Sequence, residues 1–86
     1  MKKIGAISAI LEEPQWVQEE FNKVVSSFKG MIKGRLGIPF PEENMAIVSL
    51  VVIGDLNEIN SLTGKLGNIP HVYVKTAISK KEIEEE

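Results

Sequence analysis

One histidine, no cysteine and a scatter of carboxylates are the reactive groups in these 86 residues. With no thiolate, a disulfide scaffold, a cysteine zinc site and an iron–sulfur cluster are excluded. His71 by itself completes neither a Ser–His–acid set nor a metal site. Two readings stand for it: a surface or interface histidine, or part of a metal site shared between subunits with Glu42 or Glu43 of a neighbour. Glu12 and Glu13 are adjacent, so on a strand end they point to opposite sides and make a poor general acid–base pair. No catalytic residue and no cofactor is expected.

The remaining candidates concern binding. Gly64-Lys65-Leu66-Gly67 has a phosphate-loop flavour but follows a helix and lacks the P-loop spacing. Gly64 inside a helix costs about 1 kcal/mol relative to alanine, and close approach of another backbone is the expected reason for it. Arg35 alternates outward on an edge-like strand between Gly34 and Gly37. It can hold a carboxylate or phosphate in bidentate fashion, or it can simply keep the edge soluble. Trp16 falls off the apolar face of its helix, as a contact anchor or as a lid over the end of the core. Arg35, Gly37, Gly64, Lys65 and Gly67 together form the expected ligand-binding set, at a boundary between chains.

The elements that must position these residues follow from periodicity. Ile4 to Leu11 is a short apolar run without helical spacing and predicts a buried strand. Pro14 suits a first helical turn, and Val17, Phe21, Val24 and Phe28 recur at helical spacing, predicting a helix over 14–27. Met31 to Ile38 predicts a bulged or edge strand weakened by Gly34 and Gly37, with Ile32, Leu36 and Ile38 on one side. Residues 39–44 predict a rigid polar turn, and Met45 to Ile53 a central strand. Asp55 and Glu58 have capping-box spacing ahead of Leu56, Ile59, Leu62 and Leu66, and Gly67-Asn68 with Pro70 stops that helix. Residues 71–79 alternate as a last strand, with Val72, Val74, Thr76 and Ile78 against Tyr73, Lys75 and Ala77.

The order β-α-β-β-α-β predicts an α+β, ferredoxin-like sandwich: a four-stranded antiparallel sheet with both helices on one face and the first and third strands central. It occupies residues 1–80, followed by a charged tail, 81–86, expected to fray. Apolar residues make up 43% and charged residues 26%, with a formal net charge of -2. Acids outnumber bases and no basic patch stands out, so direct nucleic-acid binding is not expected. The longest apolar stretch is far too short for a membrane span, and a cytoplasmic protein is expected.

Two helices cover one face of a sheet, yet both central strands are apolar on both faces. Ser49 interrupts Met45, Ile47, Val51 and Ile53 on one side, while Ala46, Val48, Leu50 and Val52 form the other. Left bare, one set would expose a patch of a few hundred Å², near or above the ordinary limit for a monomer. A second copy is the expected cover, in a dimer or tetramer, with Ile47, Val51 and Ile53 in the contact. The competing reading folds the tail over the sheet, although Ile83 is its one apolar residue.

Arg35-Leu-Gly-Ile-Pro39, Glu42-Glu-Asn-Met-Ala-Ile-Val48, Leu62-Thr-Gly-Lys-Leu-Gly67 and Val72-Tyr-Val-Lys75 occur in that order. This succession resembles the iron-only hydrogenase system regulator family, short bacterial proteins with an ACT-like fold. The resemblance implies an oligomeric relative of ACT domains and of the C-terminal domain of the nickel-responsive repressor. Such domains form dimers or tetramers and often bind small effectors at subunit boundaries, here in the control of hydrogenase systems. Glu12-Glu13-Pro14 stands where ACT domains carry an Asp-x-Pro-Gly-type loop, and the repressor's His and Cys ligands are missing.

Overall fold

The computed structural model describes residues 1–84. Strand β1 (Lys3–Glu12) leads into helix α1 (Pro14–Ser27), then β2 (Ile32–Phe40), β3 (Met45–Gly54), α2 (Leu56–Gly67) and β4 (Val72–Ile78). Short 3-10 turns at Lys29–Met31 and Pro41–Glu43 flank β2. The sheet order is β2-β3-β1-β4 and every pairing is antiparallel. The fold is the ferredoxin-like α+β sandwich expected from the element order, with β3 and β1 central.

Strand period and helix period meet in one core. Ile7, Ala9 and Leu11 of β1 and Val48, Leu50 and Val52 of β3 are buried. Val17, Phe21 and Val25 of α1 and Ile59, Leu62 and Leu66 of α2 close over them at spacings of three or four, and Ile69 and Val72 extend the cluster. Val24 and Phe28, predicted on the same face of α1, are partly buried against this core. Leu56, predicted inward on α2, is exposed. The α2 start is held as its spacing implied: the Asp55 backbone N–H donates to Glu58 Oε1 at 3.0 Å. Gly5 lets α2 settle on β1. A Cβ there would lie 3.0 Å from Val52 Cγ2 and 3.4 Å from Ile59 Cγ2.

Three expectations are corrected in and around β2. The strand runs on through Pro39 and Phe40, and the turn occupies only 41–44. An edge strand accepts Pro39 because its missing N–H interrupts no internal ladder. Ile32 pairs with Val52 but Gly34 pairs with Val51, so a bulge falls at Lys33. The extra residue inverts the alternation. Ile32 therefore joins the core, while Leu36 and Ile38 lie on the opposite face of the sheet.

At the Leu11 end of the sheet, three non-glycine residues take left-handed backbone: Glu13 (φ 54), Asn44 (φ 55) and His71 (φ 71). Backbone bonds link them, Glu13 N–H to the Asn44 carbonyl at 2.9 Å and Glu12 N–H to the His71 carbonyl at 2.8 Å. At the other end, within the tail expected to fray, Ile83 exchanges backbone hydrogen bonds of 2.8 and 3.2 Å with Lys2. The remainder of that expectation, at Glu85 and Glu86, lies outside the described residues.

Candidate functional site

On the helix side of the sheet, small residues face one another between β2 and β3. Gly37 pairs with Val48 and Pro39 with Ala46. Beneath the first turns of α1 they leave a cleft of about 290 Å³, close to the lower size limit of small-molecule sites. Leu11, Phe21 and Val48 form its apolar floor, and Pro14, Gln18, Arg35, Gly37, Ile38, Pro39, Ala46 and Ile47 complete the lining. A Cβ built on Gly37 meets nothing within 4 Å, so the cleft is open at that point.

Arg35 stands at the cleft with its guanidinium held from two sides. Nη2 donates to Asn22 Oδ1 at 2.6 Å, and the guanidinium carbon lies 5.9 Å from the centre of the Phe21 ring. Asn22 uses one of the five guanidinium N–H groups, and the others remain available in geometry for an anionic oxygen. The arrangement can bind a small ligand with an apolar body and an anionic end. Among the described residues no three His, Asp or Glu side chains gather as a metal site.

Of the predicted ligand set, Arg35 and Gly37 meet in this cleft, and Gly64, Lys65 and Gly67 do not line it. Lys65 Nζ instead lies over the Phe28 ring, 5.5 Å from its centre. A Cβ on Gly64 meets nothing within 4 Å, so the close backbone approach expected there is not made inside the chain. His71 Nδ1 lies 3.9 Å from Glu13 Oε2 of its own chain, and its ring meets Trp16 edge-on at 6.0 Å. Trp16 is 67% exposed. The cleft residues Pro14, Gln18, Pro39 and Ala46 escape sequence reasoning, because a void between small side chains has no pattern of its own.

The opposite face of the sheet carries no helix. It exposes Ile4, Ile10, Ile38, Phe40 and Ile47, together with Leu36 at 61%, Val51 at 47% and Tyr73 at 56%. Ile53 of the predicted contact set lies on the same face, half-buried. The described tail residues leave this surface open, since Ile83 pairs at Lys2 instead. Ile38 and Ile47 belong to this face and also line the cleft. Among the described residues no helix is long and apolar enough to cross a membrane.

The ferredoxin-like architecture sets the class. Within it, the chain belongs to the TM1266-like family: residues 3–76 match the family model, whose description reads "Iron-only hydrogenase system regulator, putative". The structure of the uncharacterized protein TM1266 from Thermotoga maritima is similar at 36% identity with a TM-score of 0.89, covering 93% of this chain and 100% of that one. The C-terminal domain of the MgtC protein from Mycobacterium tuberculosis shares the fold at 16% identity and a TM-score of 0.59, over 96% of this chain and 94% of that one. No curated protein matches the chain.

Proposed function

We propose that the protein is a non-catalytic regulatory homo-oligomer of the cytoplasm, whose chains pack through the bare sheet face. A small effector with an anionic end occupies the cleft beside Arg35 and biases that packing. The observation that carries this reading is the double membership of Ile38 and Ile47, which line the cleft and stand on the bare face. A ligand pressing on the paired β2 and β3 backbone at these two positions shifts the side chains that they offer, on the other face, to a second copy. That difference in affinity between packed and unpacked states is what effector control requires. The family description points to hydrogenase systems as the process controlled. A scaffold without a small ligand is the second reading, favoured by the exposure of Trp16.

Sedimentation velocity over micromolar concentrations, combined with amide shift mapping against a set of small carboxylates, tests the proposal. Self-association together with carboxylate shifts clustered at Gly37, Ile38 and Ile47 supports it. A monomer at every concentration overturns the oligomer. Shifts absent from those positions overturn the effector and leave the scaffold.

A further inference from the structure

Two inner rows of the bare face differ in side-chain size. Across β2, β3, β1 and β4, one register row reads Ile38, Ile47, Ile10, Tyr73. Every member is large, and together they make a ridge. A second row reads Gly34, Val51, Ala6, Ala77 and makes a trough, with Val51 its one mid-sized member. Midway between them lies a row of Leu36, Ser49, Ser8 and Lys75. On every strand the ridge and trough residues are four positions apart, about 13–14 Å at ~3.4 Å per residue.

We propose that this face is self-complementary, and that two copies pack face to face about a two-fold axis lying across the strands through the serine row. This rests on the oligomer reading above and adds the partner's register. Such an axis lays each strand over its own counterpart with the rows reversed. Ile10 then faces the partner's Ala6, Tyr73 faces the partner's Ala77, and Ile38 faces the partner's Gly34. Each ridge enters a trough, which is how two surfaces reach interior packing density.

The other in-plane two-fold, along the strands, sets each row against itself. Ile47 would meet the partner's Ile10, and Val51 the partner's Ala6. The ridges would prop the sheets apart and leave a void over the troughs, forfeiting dispersion contacts there. The axis through the serines also disposes of the polar groups. Ser8 Oγ and Ser49 Oγ are 3.4 Å apart and can bond each other within one chain, and the two pairs facing across sheets ~10 Å apart make a small polar pocket that a shared water can bridge. Lys75 meets the partner's Lys75 in this arrangement, and because β4 is the outer strand each can lay its stem outward along the surface and keep its ammonium in solvent, apart from the other.

The area is sufficient. Four strands ~4.8 Å apart and four rows ~6.8 Å apart, counting the row of Ile4 and Ile53 beyond the trough, give a face of roughly 500 Å² per copy, so about 1,000 Å² in total, the lower bound for a specific interface.

A size swap tests the register. Ala6→Ile, Ile10→Ala and the double variant are compared with the natural chain by sedimentation equilibrium, with circular dichroism confirming the fold. Both positions are exposed in the single chain, so folding is expected to survive. Each single variant should weaken self-association at least tenfold. In the first, the enlarged side chain at position 6 collides with the partner's Ile10. In the second, the truncated side chain at position 10 leaves a void. The double variant restores the fit and should return to within about threefold of the natural chain. Losses that simply multiply in the double variant overturn this axis while leaving the sheet-face oligomer intact. A natural chain that stays monomeric, or single variants that associate unchanged, overturn both.

Discussion

Ser8 and Ser49 stand directly opposite one another on the two central strands, hydroxyl oxygens 3.4 Å apart, in the middle of a face otherwise dominated by apolar side chains. The pair lies between a row of large residues, Ile38, Ile47, Ile10 and Tyr73, and a row of smaller ones, Gly34, Val51, Ala6 and Ala77. Solvent alone would favour polar residues along the whole face rather than one polar row inside an apolar one.

A carboxylate placed beside this seam should abolish association. Val51→Asp puts a charge on the face without touching the core, so the fold and its far-UV dichroism should be retained. Burying that charge in an interface without a partner costs about 3–5 kcal/mol. The dimer dissociation constant should rise by two orders of magnitude or more in sedimentation equilibrium.

Arg35→Gln should separate binding from stability. Arg35 is exposed, its bond to Asn22 lies at the surface and Phe21 stays buried without it, so thermal stability should fall by less than about 1 kcal/mol. The shifts that small carboxylates induce at Gly37 and Ile38 should be lost. Unchanged carboxylate binding would remove Arg35 from the site.

Gly5→Ala and Gly37→Ala should differ in sign. At Gly5 a Cβ comes within 3.0 Å of Val52, so the helix α2 must shift and stability should fall by about 1–3 kcal/mol. At Gly37 the space is open, and a strand residue with a side chain should leave stability equal or slightly raised. Paired thermal melts decide it. If Gly37→Ala destabilises as much as Gly5→Ala, the cleft is not open as described.

Gly64→Ala bears on an unused surface of α2. Nothing in the chain lies within 4 Å of the new Cβ, so the isolated chain should gain about 1 kcal/mol from helix propensity. That corresponds to a rise in Tm of ~4–8 °C. A gain in Tm with unchanged association means that no neighbouring backbone packs on Gly64. Weakened association would instead place α2 in a second interface.

Much of this fold can be read in the sequence because each element carries its own periodicity and punctuation. Pro14 opens α1, Asp55 and Glu58 open α2, and the two-sided apolarity of β3 marks its central position. The errors lie where one residue breaks a period. The bulge at Lys33 sends Ile32 to the core and Leu36 to the far face, which no alternation rule registers. The left-handed turns at Glu13 and His71 use residues without glycine's freedom and carry no turn signature. The site is less legible than the fold. Arg35 and Gly37 share a strand and could be grouped by eye, whereas Lys65 turns to Phe28. Ridge and trough are present in the residue types but become visible only once four strands are in register.

Light scattering on a sizing column, with the natural chain at tens of micromolar, decides whether the bare face is an interface between copies. A mass of two or four chains is predicted, with that face as the contact. A mass of one chain, unchanged on concentration, would contradict the oligomer and leave the face as a surface for some other partner.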